Sequence, residues 1–157
     1  MTKVTKGNKA PDFELPTDAE GTFKLSDNLG NPLVLFFYPK DDTSGCTKEA
    51  IGFSELLPEF ENMNIKVFGM SPDPVKKHDK FRDKHNLTVG LISDEEKTAL
   101  SAYGVWVEKS MYGKKYMGVE RTTLLIGADG TVLEAWHKVK VPGHVEAVLE
   151  AAKELTS

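Results

Sequence analysis

The chain has 157 residues, 39% of them hydrophobic, and its 20 Lys and Arg against 24 Asp and Glu give a net charge of −4. These values are typical of one globular domain, expected over residues 1–157, and they exclude a disordered or fibrous chain. A mild negative charge without a basic stripe also argues against nucleic acid as a partner.

No segment of the sequence is apolar over the length that a membrane crossing requires. The longest apolar run, residues 33–38, is far shorter than the ~20 residues of a spanning helix. The first eight residues, MTKVTKGN, lack the apolar stretch and cleavage site of a secretory signal. We therefore expect a cytoplasmic protein that has no membrane partner.

Strand patterns and helix patterns alternate along the chain. Polar and apolar residues alternate at 12–15 and at 22–25, which predicts an N-terminal β-hairpin. Residues 33–38 are apolar without alternation, as in a strand covered on both faces. The later predicted elements are a helix with an apolar stripe over 46–60, a strand at 65–70, a helix at 74–86, a strand at 89–92, a helix from Ser93 or Asp94 through Tyr103, a hairpin of 122–126 with 131–136, and a helix at 143–155. This order predicts an α/β fold with a mixed central sheet and helices on both faces. We expect residues 105–119 to form an extended insertion with weak secondary structure.

Cys46 is the only cysteine of the chain. A single cysteine excludes an internal disulfide, a C-x-x-C motif and any zinc site built on several thiolates. If Thr43 or Ser44 caps the helix, Cys46 lies in its first turn, where free N–H groups and the helix dipole favour an anion. The thiolate is the reactive form of cysteine, so this position suits a nucleophile. The alternative is a small buried hydrophobic residue, which is the commoner role of a lone intracellular cysteine.

Two neighbours of Cys46 in the same loop have possible roles. The Thr43 hydroxyl, three residues earlier, can donate to the thiolate or to a small oxygen substrate, although it can equally be a simple helix cap. Pro39 removes an amide donor at the strand end of the loop and helps to keep the site dry. The loop follows a central strand, and ligand sites of open α/β sheets usually lie at that end.

Residues 37–47, FYPKDDTSGCT, resemble the P-x-x-x-T-x-x-C signature of peroxiredoxins, specifically the bacterioferritin comigratory protein or PrxQ subfamily. Further matches to this subfamily lie at residues 10–13, 93–94, 103–106, 111–114, 116–118 and 120–123. The resemblance therefore extends over nearly the whole chain.

The resemblance implies a thioredoxin-like fold and reduction of hydrogen peroxide and organic hydroperoxides. It makes Cys46 the peroxidatic cysteine, Thr43 and Arg121 its activating partners, Pro39 the shield of the pocket, and Glu49 a tether for the arginine. A guanidinium stays charged at working pH and has several donors, which suits both a thiolate and a departing oxygen. The resemblance implies no cofactor, no metal, and a monomer.

The chain departs from many members of this subfamily at Ile51, where they have a resolving cysteine. An intramolecular disulfide cannot close the cycle, so the Cys46 sulfenic acid must be reduced by an external thiol: thioredoxin, glutaredoxin or glutathione. We also expect excess peroxide to oxidise Cys46 to sulfinic acid. The missing cysteine leaves a second reading open, a peroxide sensor or redox-relay binding protein with the same fold.

Two other groups of residues carry weaker signals. His78 and His85 lie on one predicted helix, about 10 Å apart along its axis, too far to share a metal ion, and are expected to be solvated. Trp106, Tyr112 and Tyr116 either border the pocket or simply pack.

Overall fold

The computed structural model describes residues 3–156, without the side chain of Glu20. Its strands are β1 (Glu14–Pro16), β2 (Thr22–Lys24), β3 (Leu33–Phe37), β4 (Lys66–Ser71), β5 (Gly90–Ser93), β6 (Trp106–Met111), β7 (Lys114–Val119), β8 (Thr122–Ile126) and β9 (Val132–Trp136). Its α-helices are α1 (Ser44–Glu61), α2 (Val75–His85), α3 (Thr98–Ala102) and α4 (His144–Thr156). None of these helices has the length and apolar character that a membrane span requires.

Five strands form the central sheet, in the order β5-β4-β3-β8-β9. The central strand β3 runs parallel to β4 and antiparallel to β8. In this pairing Phe37, at the end of β3, lies opposite Thr122, at the start of β8. The loop that follows β3 and the residues that precede β8 therefore meet at the same end of these two neighbouring strands. The predicted mixed sheet and the N-terminal hairpin, β1 with β2, are both confirmed.

Apolar side chains cover both faces of β3, because successive residues of a strand point to opposite sides. Val34 and Phe36 belong to a core that includes Phe53 of α1 and Val148 of α4. Leu35 belongs to a second core on the other face, which includes residues of α3 and of the N-terminal hairpin. The predicted helices on both faces are thus confirmed. Because both faces of β3 are covered, its sequence shows no alternation of polar and apolar residues.

The sequence-based prediction was wrong for residues 105–119. They form an antiparallel hairpin in which β6 pairs with β7 from Trp106 opposite Val119 to Met111 opposite Lys114. The turn consists of Tyr112 and Gly113, both with positive φ (52° and 81°), the conformation that suits a two-residue hairpin turn. Side chains near the tip of this hairpin are exposed on both faces, so the sequence carries no alternation of polar and apolar residues.

The helix expected from Ser93 or Asp94 is shorter than predicted. Lys97 adopts a left-handed conformation (φ 62°), and α3 begins only at Thr98. The Asp94 carboxylate accepts a hydrogen bond from the Leu100 N–H at 2.8 Å, so Asp94 stabilises this short helix from outside it.

Candidate active site

Cys46 lies in the first turn of α1, directly after the loop that leaves the central strand. Thr43 is the N-cap residue, with extended backbone, and its carbonyl accepts the first helical hydrogen bond from the Thr47 N–H at 2.8 Å. The N–H groups of the next residues have no acceptor within the helix, so they favour negative charge at this end. Cys46 is almost completely buried, with 1% of the residue exposed.

Arg121 contacts Cys46 although 75 residues separate them in the chain. Its Nη2 donates to Cys46 Sγ at 3.2 Å, and its Nη1 donates to Glu49 Oε1 at 2.7 Å. The antiparallel pairing of β3 with β8 explains the contact. Arg121 directly precedes β8, and the start of β8 lies beside the end of β3, from which the loop leads to α1. Burial alone would lower the pKa of Arg121, but the charges of Cys46 and Glu49 and the hydrogen bonds to them raise it above its ordinary value.

Glu49 is fully buried one turn after Cys46. Its Oε1 accepts the bond from Arg121, whereas its Oε2 has no hydrogen-bond partner among the described residues. Burial raises the pKa of Glu49 to about 7, while the charge and hydrogen bond of Arg121 act to lower it. Glu49 thus holds the guanidinium in place from the side away from solvent.

His144, the first residue of α4, lies behind Glu49. Its Nε2 is 2.8 Å from Thr123 Oγ1 and 3.9 Å from Glu49 Oε2. Burial, together with the charge of Arg121, lowers the pKa of His144 to about 4, so the ring is neutral near neutral pH. We call Cys46, Glu49, Arg121, Thr123 and His144 the reactive cluster.

Gly45 lets Arg121 approach the start of α1. A Cβ atom at this position would lie 3.2 Å from Arg121 Nη2 and 3.9 Å from Val141 Cγ2. The first distance is tighter than ordinary carbon contacts, so any larger residue would press on the guanidinium.

The structure shows no hydrogen bond between the Cys46 sulfur and Thr43 or Pro39. The Thr43 hydroxyl donates to the Lys40 carbonyl at 2.8 Å rather than to the thiolate, and the residue is exposed. Its oxygen retains lone pairs that can accept a hydrogen bond from a substrate. Pro39 is half-buried at the start of the loop. Of the five predicted site residues, the structure thus joins Cys46, Arg121 and Glu49 by direct hydrogen bonds.

A second buried polar cluster, which we call the loop cluster, consists of Tyr38, Asp41, Asp73 and His78. The Tyr38 hydroxyl donates to Asp41 Oδ1 at 2.6 Å, and the Asp41 N–H donates to Asp73 Oδ2 at 2.7 Å. These bonds fix the loop between β3 and α1, which leads to Cys46.

His78 is fully buried in the loop cluster, so the expectation that it is solvated was wrong. Its Nδ1 lies 2.6 Å from Asp41 Oδ2, and its Nε2 lies 2.9 Å from the Ile92 carbonyl. Because an ionised carboxylate and a carbonyl both accept, both ring nitrogens donate when Asp41 is ionised, which makes His78 a cation. Burial alone would lower the pKa of His78, but Asp41 raises it above its ordinary value.

Sequence patterns did not indicate His78, His144 or Gly45 as contributors to this region. Their side-chain partners, Asp41, Thr123 and Arg121, are at least 21 residues away in the chain, and only the fold brings them together. Within residues 3–156 no group of three or more His, Cys, Asp and Glu side chains is arranged to hold a metal ion. Ile51, at the position of the missing resolving cysteine, is half-buried and packs against the core.

Comparisons with known proteins agree with the resemblance seen in the sequence. Residues 6–135 match the AhpC/TSA family. The chain is 48% identical over 146 residues to "Putative peroxiredoxin bcp" of Coxiella burnetii, covering 93% of this chain and 97% of that protein. It is 45% identical over 150 residues to "Peroxiredoxin Bcp" of Bacillus subtilis, covering 96% of each. Among solved structures, a cysteine-to-serine mutant of PrxQ from Xylella fastidiosa is similar, with a TM-score of 0.92, 40% identity and 98% of each chain covered.

Proposed function

The chain belongs to the AhpC/TSA family, as a peroxiredoxin of the Bcp or PrxQ type, and on that premise we propose that Cys46 is its peroxide-reducing residue, regenerated by a thiol from outside the chain. The protein is a thiol-dependent peroxidase with a thioredoxin-like fold, as its relatives are peroxiredoxins over nearly their full length. The roles of individual residues in this reaction are our proposal. The observation that carries it is the hydrogen bond from Arg121 to the Cys46 sulfur.

The first step is attack of the Cys46 thiolate on one oxygen of the hydroperoxide. The S–O bond forms as the O–O bond breaks, so the sulfur is oxidised to the sulfenic acid and the other oxygen leaves as an alkoxide or hydroxide, which takes up a proton. The Arg121 guanidinium can donate to both the thiolate and the departing oxygen, since it has several donors and stays charged.

Three further residues support this step. Glu49 orients the guanidinium through its 2.7 Å hydrogen bond. The Thr43 oxygen can accept from the O–H of the peroxide, because its own proton is donated to the Lys40 carbonyl. Pro39 offers no amide donor to water at the strand side of the loop, which keeps the site dry.

The second step needs a thiol from another molecule, because Cys46 is the only cysteine in the chain. A thiolate attacks the sulfenic sulfur, the S–O bond breaks, and hydroxide leaves as water once it is protonated. A second thiolate attacks the outer sulfur of this mixed disulfide and releases Cys46. We propose thioredoxin, glutaredoxin or glutathione as the reductant. That the protein is a cytoplasmic monomer stays a prediction from the sequence.

Peroxide consumption in the presence of dithiothreitol tests this function against the sensor alternative. The protein should consume many equivalents of hydrogen peroxide, and Cys46→Ser should abolish the consumption. The relatives named peroxiredoxins favour this outcome over a sensor. Consumption of about one equivalent per chain, with no further turnover in excess dithiothreitol, would contradict the proposed cycle.

A further inference from the structure

A basic groove runs beside Arg121 on the surface of the protein. It has a volume of about 470 Å³, within the range of small-molecule sites. Lys109 of β6 lies on one wall, and Lys138 and Lys140, which follow β9, lie on the other. Arg121 lines the groove and also donates to the Cys46 sulfur, so the groove leads to the reactive cluster.

The fold holds the two walls of the groove in place. The Val139 N–H donates to the Arg121 carbonyl at 2.9 Å, which fixes the segment that carries the two exposed lysines. On the other wall, the Lys109 stem lies across Gly118 of β7, where a Cβ atom would come within 3.2 Å of Lys109 Cδ. The lysines are therefore attached to ordered backbone next to the site.

In the part of the chain that the structure describes, the lysines of this groove, unlike Arg121, have no carboxylate partner. Among the described residues, no carboxylate lies within 4 Å of the Lys109, Lys138 or Lys140 ammonium groups. The two acidic residues of the groove are already paired, Glu108 with Lys115 and Glu120 with Lys3. The groove thus has an excess of cations.

Lys109 also interacts electrostatically with the reacting sulfur. Partial burial lowers the pKa of Lys109, and so does the charge of Arg121, while Cys46 and Glu120 act in the opposite direction. A partly desolvated cation that has no counter-ion gains when an anion binds beside it.

We propose that this groove binds the carboxylate of a small thiol that reduces oxidised Cys46. The inference rests on the proposed function, in which every turnover needs an external thiol. Hydrogen peroxide is neutral and gains little from a cationic groove, whereas a thiol that carries a carboxylate is an anion and is attracted to it. Lys109, Lys138 and Lys140 hold the carboxylate and thereby bring the thiol close to the sulfenic sulfur.

The chemistry is the second step described above, with the carboxylate left unchanged. The thiolate sulfur bonds to Cys46 Sγ, the S–O bond breaks, and the hydroxide that leaves is protonated to water. A second thiol completes the reduction and leaves as the symmetrical disulfide, so two thiols are oxidised for each peroxide reduced.

Matched thiols and matched variants test the groove. The sulfenic acid is formed with one equivalent of hydrogen peroxide, and the rate of mixed-disulfide formation with 3-mercaptopropionate or 2-mercaptoethanol is followed by rapid quench and intact mass. In Lys138→Gln with Lys140→Gln, the rate with 3-mercaptopropionate should fall about tenfold, while the rate with 2-mercaptoethanol changes less than twofold. The control, Lys76→Gln with Lys153→Gln, removes the same charge from exposed positions of α2 and α4 and should leave both rates unchanged.

Each other outcome overturns the proposal. Equal losses with both thiols would indicate a structural effect, and no loss would show that the lysines do not recognise the carboxylate. Sulfenic acid formation is measured separately with tert-butyl hydroperoxide and with a fatty acid hydroperoxide. A loss confined to the fatty acid hydroperoxide would assign the groove to the peroxide instead. If the unmodified chain forms no sulfenic acid at all, the proposed function fails independently of the groove.

Discussion

Two buried clusters lie near the start of α1, and each contains a carboxylate, a cation and a histidine. In the loop cluster the histidine is itself the cation, because His78 donates to Asp41 and to a carbonyl. In the reactive cluster the cation is Arg121, and its charge helps to keep His144 neutral. Burial acts to lower the pKa of both histidines, and the neighbours decide whether it is overcome: Asp41 raises the pKa of His78, whereas Arg121 lowers the pKa of His144 further.

The two clusters also differ in how completely their polar atoms are satisfied. Every buried side-chain polar atom of the loop cluster has a hydrogen-bond partner, whereas Glu49 Oε2 of the reactive cluster has none among the described residues. Fully satisfied networks rigidify a structure, and unsatisfied buried groups are typical of functional sites. This contrast agrees with the proposal that the loop cluster holds the loop and that the reactive cluster performs the chemistry.

The largest effect on stability is expected in the loop cluster. His78→Leu leaves the buried Asp41 carboxylate without its cation and should lower the free energy of unfolding by about 3–5 kcal/mol at neutral pH. His85→Leu is the matched control, since His85 lies on the same helix beside exposed Asp42, and should cost less than about 1 kcal/mol. Urea unfolding measures both. Similar losses in the two variants would contradict the assignment of His78 as a buried cation.

A smaller effect is expected from Glu49→Gln in the reactive cluster. Glutamine keeps an oxygen that can accept from Arg121 but loses the negative charge, so the rate of sulfenic acid formation should fall about tenfold. Glu59→Gln, on an exposed face of the same helix, is the control and should keep the full rate. A Glu49→Gln variant with the full rate would show that the charge of Glu49 does not matter.

The two histidines should give opposite pH dependences of stability. The pKa of His78 is raised in the fold, so its contribution is complete below about pH 6.5 and is lost as the pH rises through the raised pKa. The pKa of His144 is lowered from 6.5 to about 4, so its contribution is present above pH 6.5 and is lost as the pH falls toward 4.

Unfolding free energies between pH 4 and pH 9 check these signs. The stability difference between the unmodified chain and His78→Leu should shrink as the pH rises above 6.5. The difference for His144→Gln should shrink as the pH falls below 6.5. The same direction of change for both histidines would refute the contrast between the two clusters.

The smallest effect is expected at Gly45. The Cβ of Gly45→Ala would press on the guanidinium, which must move by a few tenths of an ångström, so the rate of sulfenic acid formation should fall a few-fold. Ser44→Ala, at the exposed neighbouring position, should leave the rate unchanged. An undiminished rate in Gly45→Ala would show that the close approach of Arg121 does not matter.

The sequence predicted those parts of the molecule that depend on local patterns. The buried strand at 33–38 and the helix stripe from Cys46 are visible because apolar spacing reflects the faces of one element. The β6–β7 hairpin was missed, since its tip is exposed on both faces and Tyr112 is 99% exposed. The roles of Arg121 and Glu49 were predicted from the resemblance alone. His78 could not be predicted, because its partner Asp41 lies 37 residues away on a loop whose position depends on the fold.

The central claim is that the Arg121 guanidinium activates Cys46, and the rate constant for sulfenic acid formation with hydrogen peroxide tests it most directly. Arg121→Met keeps much of the side-chain volume and removes the charge and the donors, so the rate constant should fall about 10²–10³-fold while the fold is retained. Arg121→Lys should restore part of the rate, because lysine returns the charge without the two-pronged geometry. A folded Arg121→Met variant that reacts as fast as the unmodified chain would contradict the account.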